Sequence, residues 1–386
     1  MVPQRCTSVR ASTLDIVGAG PSGLSAALAA RTRGIEVTVY EKRADVGVRF
    51  HGDFQGLENW TAKTDVLAEL EAIGIQTNFA HTPIYEIVCL SDDGATHIVR
   101  ATAPIFYLLR RGAQPGTLDQ ALKAQVLEAG IPIHFGERQR QIGDGSVVAE
   151  GPHRADVIAT GYVFDTDMAN GCYATVSDRL APAGYSYLLV DQGRGTVATC
   201  MFRGFHDERR YLDATVDFFQ RTVGLRWQTA RRFGGSGNYQ RVQTTRIGNH
   251  CHVGESAGFQ DALFGFGLRY ALTSGHLAGR SLAESNDFDQ AWRTQLAGLN
   301  SASLFNRWLF EHLGDWGRRS VFKRATAGRD PRRLLGWIYA PARWKTRMAA
   351  WLPGTPPIHS EHPRADCDCT WCRCYRNGCT ATEGSA

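Results

Sequence analysis

The stretch DIVGAGPSGLSAALAARTRGIEVTVYEKR, residues 15–43, decides the fold. Leu14 to Val17 is a short apolar run of buried-strand type, and Gly18-Ala19-Gly20-Pro21-Ser22-Gly23 follows at once. Leu24 to Arg33 reads as an Ala-rich helix, Gly34 ends it, and Ile35 to Tyr40 returns as a second strand. In such a strand–turn–helix–strand unit Gly18 allows the tight turn, Gly20 lets the backbone approach a pyrophosphate, and Gly23 lets helix pack on strand. Pro21 and Ser22 open the helix, whose free N–H groups and positive dipole end suit phosphates. Glu41, followed by Lys42, closes the second strand where a carboxylate accepts a hydrogen bond from a ribose hydroxyl. That acid disfavours a 2′-phosphate, because two negative charges would meet. NAD and the adenosine half of FAD both remain open at this point.

Composition sets the outer bounds. With 386 residues, 43% hydrophobic and 21% charged, the chain can build a large core or two domains. No apolar run approaches the roughly 18 residues of a membrane span. The opening MVPQRCTSVRASTLD lacks an apolar signal core, so a cytoplasmic location is expected. The net charge of +5 is local, gathered in RRSVFKR (318–324), Arg332-Arg333 and ARWKTR (342–347). Such clusters suit an anionic surface better than a nucleic-acid groove, and no nucleic-acid motif or internal repeat is present.

Along the chain, residues 61–73 and 118–130 read as helices stopped by glycine. Short alternating runs from 83 to 107 and from 183 to 205 read as strands, ADVIATG (155–161) as a buried strand, and helices dominate from Leu263. The expected fold class is α/β: a Rossmann-type nucleotide domain interrupted by a mostly antiparallel substrate sheet, then a helical C-terminal region. The expected boundaries are 12–80, 107–172 and 246–285 for the nucleotide domain and 81–106 with 173–245 for the sheet domain. Residues 286–352 form the helical region, and 353–386 a Cys-rich tail.

A second nucleotide signal, NHCHVGESAGFQDALFGFGLRYALTSGHLAGRSLAE (249–284), separates the cofactors. A strand runs into Gly254-Glu255, and a loop carrying Gly258, Gly265 and Gly267 opens a long helix at about Leu268. A carboxylate at a strand end beside a helix N-terminus can hold ribityl hydroxyls and stabilise a reduced flavin. A nicotinamide dehydrogenase has no use for this second site, whereas FAD spans both.

These residues resemble the p-hydroxybenzoate hydroxylase superfold and, within it, the geranylgeranyl reductase family. That family's loop, G-D-A-A-G-F-x-x-P-x-x-G-x-G, stands here as Gly254-Glu255-Ser256-Ala257-Gly258-Phe259, then Gln260 to Gly267. Glu255 replaces the usual Asp and Ala262 a common Pro. Ala257-Gly258-Phe259 is the reductase-like choice where hydroxylases show Ala-His. Arg110-Arg111 resembles the superfamily's flavin-contacting arginine, with Arg111 favoured because Gly112 allows close approach; a solvated pair at a strand end is the alternative. Ala183 to Tyr187 resembles the family's Tyr-x-Trp-x-Phe-Pro wall, with Tyr187 for Trp and no Phe-Pro.

The resemblance implies FAD reduced by NAD(P)H, then hydride transfer to an alkene carbon of an apolar, isoprenoid-type substrate. Residues 48–56 pass near the flavin in that fold, and they contain no cysteine, so a catalytic thiol there is excluded. His51, Tyr185 and Tyr187 are the available proton donors, each equally readable as a packed side chain, and Arg49 can fix flavin or substrate. In RWKTRMAAWL, Trp344, Met348, Trp351 and Leu352 form a helical stripe beside basic residues. The stripe suits peripheral membrane contact or docking on the protein itself. Cys367, Cys369, Cys372 and Cys374, with Cys379 spare, suit a structural zinc, a redox thiol pair or a loose tail. Two other functions compete with the reductase: an FAD monooxygenase of the same superfold, and a flavin-bearing redox sensor or scaffold.

Overall fold

The computed structural model describes residues 13–91, 95–139, 143–325 and 330–352. The cysteines proposed as a zinc site therefore lie outside the described residues. The nucleotide half is a six-stranded sheet in the order Arg246–Ile247, His250–His252, Val147–Val148, Thr13–Val17, Glu36–Glu41, Ile133–Phe135. All neighbours in it are parallel except the edge pair Arg246–Ile247 and His250–His252. Helix Pro21–Arg31 joins the neighbouring strands Thr13–Val17 and Glu36–Glu41, and nine of its 11 residues are buried.

The second layer is a seven-stranded sheet, ordered Thr229–Gly237, Val157–Asp165, Arg194–Met201, Tyr185–Asp191, Gly171–Thr175, Glu86–Leu90, Thr96–Arg100. Only Gly171–Thr175 and Glu86–Leu90 pair in parallel within it. Helix Glu208–Val223 covers one face, burying Leu212 and Phe219. The α/β class with an interrupting, mostly antiparallel sheet is thus the observed architecture. Two strands sit across the boundaries expected from sequence. Val157–Asp165, grouped there with the nucleotide segments, runs between two long antiparallel partners of the large sheet, and their pairing claims it. His81–Ile84, grouped with the substrate sheet, instead joins Phe54–Glu58 and Phe106–Arg110 in a three-stranded ribbon bridging the halves.

Local chemistry sets most element ends. Asp65 accepts from the Leu67 N–H at 2.9 Å and starts the helix Val66–Ala72, later than the periodicity from residue 61 suggests. Thr117 likewise caps Leu118–Glu128. The helical region comprises Phe288–Gln295, Ala297–His312, Gly314–Ala325, Pro331–Tyr339 and Arg343–Trp351.

The two nucleotide segments meet along a seam of small residues. Helix Leu268–Ala283 approaches Pro21–Arg31 so closely that a Cβ added to Gly275 would sit 2.0 Å from the Ser22 carbonyl oxygen. One added to Gly279 would sit 2.1 Å from that of Ala26. Ser25 Oγ completes the seam, donating to the Leu272 carbonyl at 2.7 Å.

Candidate functional site

One continuous cavity of about 1900 Å³ runs from the glycine turn to the C-terminal helices. It exceeds the roughly 1000 Å³ that suffices for a drug-sized ligand. At its polar end the three glycines have distinct tasks. Gly18 has φ +103°, and an added Cβ would lie 2.4 Å from the Ala149 carbonyl oxygen. A Cβ on Gly23 would lie 2.0 Å from the Gly18 carbonyl. Both glycines are demanded by packing. Around Gly20, however, no atom beyond its own chain neighbours lies within 4 Å of an added Cβ, and the residue lines the cavity. Gly20 also caps helix Pro21–Arg31 with no side-chain hydrogen bond and no acid in the first turn. Its terminal N–H groups are free for an anion.

Glu41 is held at the end of its strand: Oε2 accepts from the Ala19 N–H at 2.9 Å and Oε1 from the Arg43 N–H at 3.0 Å. Lys42 lines the same end. Gly254, at φ +56°, lies against Ser22 and donates to Ser274 Oγ at 2.9 Å, which ties the second segment to the first.

At mid-cavity Arg49 pairs with Glu255 at 3.3 Å and also donates to the Ser236 carbonyl. The other Glu255 oxygen accepts from Gln260 Nε2 at 3.1 Å. Gln260 in turn dictates Gly267, where a Cβ would lie 1.9 Å from its Oε1. Gly265, at φ +76°, and Leu268 complete the rim of helix Leu268–Ala283, again uncapped and without an acid in its first turn. Arg111 reaches the cavity wall, but its guanidinium makes a two-pronged pair with Asp119 at 2.8 Å and stacks 4.0 Å over Phe50. It is buried and paired, so a solvated arginine at a strand end does not describe it.

The far end is apolar, with Phe106, Leu189, Leu263, Phe266 and Phe310 among its walls. Cys89 and Cys200 also face it, and burial pushes both thiols up to about 12, so they stay neutral. The three proton-donor candidates all line this cavity, yet they differ chemically. Burial lowers the His51 imidazole, with Asp53 pulling against the fall and Arg231 adding to it, so His51 is neutral near pH 7. Tyr185 donates its hydroxyl proton to the Phe264 carbonyl. The Tyr187 hydroxyl makes no hydrogen bond among the described residues, and burial holds its phenol well above the ordinary range. Of the two tyrosines it holds the uncommitted proton, while His51 Nδ1 is likewise buried without a hydrogen-bond partner among the described residues.

Sequence reasoning passed over the residue that shapes the loop between the two glycine clusters. Asp261 is buried and accepts from the Leu263, Phe264 and Phe266 N–H groups at 3.1, 3.0 and 3.4 Å. Ser303 Oγ donates to it at 2.7 Å, and the Tyr339 hydroxyl reaches both oxygens at 3.0 and 2.9 Å. An Asp two residues before a Leu-Phe pair is the local signal for such a turn. Ser303 and Tyr339 carry no signal at all. These bonds hold residues 263–267 as the loop that precedes helix Leu268–Ala283, whose start agrees with the sequence pattern.

Among the described residues no cluster of metal-ligating side chains occurs. None of the helices there is long and apolar enough to cross a membrane.

Residues 16–63 match the family model of NAD(P)-binding Rossmann-like domains. No curated protein matches the sequence. Among solved structures, a geranylgeranyl bacteriochlorophyll reductase-like protein from Thermoplasma acidophilum superposes with a TM-score of 0.66 at 15% identity, covering 88% of this chain and 96% of that one. The flavin-dependent brominase Bmp2 gives 0.60 at 14% identity, covering 89% and 98%. A mutant of 2-methyl-3-hydroxypyridine-5-carboxylic acid oxygenase gives 0.55 at 14%, covering 84% and 96%. The chain thus has, over most of its length, the flavoprotein fold that such reductase-like, halogenating and oxygenase proteins share.

Proposed function

We propose that the protein is an FAD-dependent oxidoreductase that reduces C=C bonds of an apolar, isoprenoid-type substrate, with NAD(P)H as electron donor and a cytoplasmic location. The observation that carries this reading is the single cavity joining a dinucleotide cradle to an apolar chamber. The residues fit FAD. The space at Gly20, the two uncapped helix ends and the strand-end carboxylates Glu41 and Glu255 together match its two phosphates, its ribose and its ribityl chain. Bound there, FAD supplies hydride transfer to an alkene carbon.

The chain's own tasks are binding, orientation and exclusion of water. Gly20 and the helix end receive the pyrophosphate, while Glu41 and Glu255 accept from hydroxyls and fix the register. The phenylalanine and leucine walls keep the chamber dry, which strengthens every charge interaction inside it. Tyr187 holds a proton on Oη, ready for the carbon next to the one that receives hydride. Outside the described residues, the same reading gives Cys367, Cys369, Cys372 and Cys374 a structural zinc, with Cys379 the alternative ligand. Metal analysis of the full chain should find about one zinc per chain, lost in Cys372→Ser.

The test mixes reduced enzyme with polyprenyl and other alkenes under strict exclusion of oxygen and follows the oxidised-flavin absorbance. Its return, with a saturated product, supports the reductase. Return only after oxygen is admitted moves the assignment to a monooxygenase. No steady-state NAD(P)H turnover with any acceptor would favour the sensor or scaffold.

A further inference from the structure

The four helices that end the described chain leave several large aromatic side chains uncovered by any described residue. Trp316, Trp337 and Trp351 are 74%, 75% and 86% exposed. Around helix Arg343–Trp351, at about 100° per residue, Trp344, Met348 and Trp351 fall within about 60° of one another. The helix is held by its other face. Lys345 and Ala349 are buried, and the Lys345 ammonium donates to the carbonyls of Ile338 at 2.5 Å and Ala340 at 3.2 Å. Docking on the protein thus takes Lys345 and Ala349 and leaves the aromatic stripe turned outward, apart from an edge of Trp344 on Phe305. Arg343 and Arg347 flank the stripe. From residue 331 to 352 the sequence has five basic residues and no acidic one.

This surface is also the mouth of the cavity. Leu309, Val321, Trp337 and Trp344 both line the apolar end and are exposed, so the chamber opens among them. Soluble monomers rarely expose apolar patches of this kind without a use for them. A tryptophan rim with cations beside it matches the headgroup layer of a bilayer, where the indole is half wet and the guanidinium meets phosphate. A second copy of the same face is a poor occupant, since a two-fold dimer would set these cations against each other. The helices are too short to span, which leaves a position in the interface.

We propose that this face docks on an anionic lipid bilayer, with the tryptophans at headgroup level and the apolar end of the cavity opening toward the acyl chains. The proposal concerns binding alone and needs no turnover for its test. Full-length protein is floated with vesicles of phosphatidylcholine, with or without about one third phosphatidylserine. The parent should float with the anionic vesicles only, release with salt, and lose tryptophan emission to brominated lipid. Each cation near such a surface contributes about a fivefold factor, so Arg343→Gln with Arg347→Gln should bind about 25-fold more weakly, and Trp351→Ser should weaken it further. These three side chains are exposed, and circular dichroism checks that the fold is kept. Three results would overturn the proposal: no flotation at low salt, undiminished binding of the triple variant, or a vesicle-free dimer of the parent that the variant loses.

Discussion

Replacing Asp261 by Asn changes one oxygen to an amino group and almost no volume, so it isolates the hydrogen-bond acceptors. Every partner of this carboxylate is a donor: three backbone N–H groups and the hydroxyls of Ser303 and Tyr339. Asparagine keeps one acceptor. Either the Oδ1 side (Leu263 N–H and Ser303 Oγ) or the Oδ2 side (Phe264 and Phe266 N–H) must then face an NH2. Two hydrogen bonds to a charged acceptor are lost, at about 1.5 kcal/mol each, giving about 3 kcal/mol. Tyr339→Phe removes a single donor and should cost about 1 kcal/mol. Because the loop ends at Gly267, cofactor affinity should fall in step with stability. The assay is urea unfolding of the full chain, followed by tryptophan emission and by flavin release. A change below about 0.5 kcal/mol in Asp261→Asn, or a stability loss that leaves flavin affinity untouched, would refute the reasoning.

Gly20→Val should keep the circular dichroism and lose at least tenfold in flavin affinity, because its side chain would enter open cavity space. Gly18→Ala should instead cost about 2 kcal/mol or more in urea unfolding, through left-handed backbone and the Ala149 carbonyl. Tyr187→Phe should lower single-turnover substrate reduction about 100-fold with stability unchanged, whereas Tyr185→Phe should chiefly cost about 1 kcal/mol of stability. Burial, with Arg33 and Arg280 adding to it, lowers His276 from 6.5 to about 4. The unfolded chain therefore binds the extra proton in that window. Stability is full above pH 6.5 and falls by about 2–3 kcal/mol as pH drops toward 4. His276→Gln should flatten that slope in urea titrations at several pH values.

What was legible in the sequence was what is determined locally. The Gly18–Glu41 unit announces itself because turn, helix end and strand-end acid lie within one short stretch, and each has a conformational reason for its residue type. Glu255 and the Gly265–Leu268 loop were readable for the same reason. The pairing of Arg49 with Glu255 was not, since 206 positions separate them. Strand Val157–Asp165 misled because a buried strand reads alike in a parallel or an antiparallel sheet; only its partners decide. Tyr185 and Tyr187 looked interchangeable, and one backbone carbonyl at Phe264 tells them apart. The tryptophan stripe was visible as a periodicity, but which face of the helix docks depends on carbonyls at Ile338 and Ala340.

The small-residue seam also bears on how the chain comes off the ribosome. Ser25 and its partner Leu272 are 247 positions apart. At roughly 5–20 residues per second, the first helix waits on the order of 10–50 s for the helix that covers it. Through that interval its alanine and serine face stays open to solvent, ribosome surface and chaperones. Few bulky side chains are exposed there, which limits how strongly it can stick to anything else. A seam built from glycine, alanine and serine thus suits a half-finished site that must keep its place until the second half arrives.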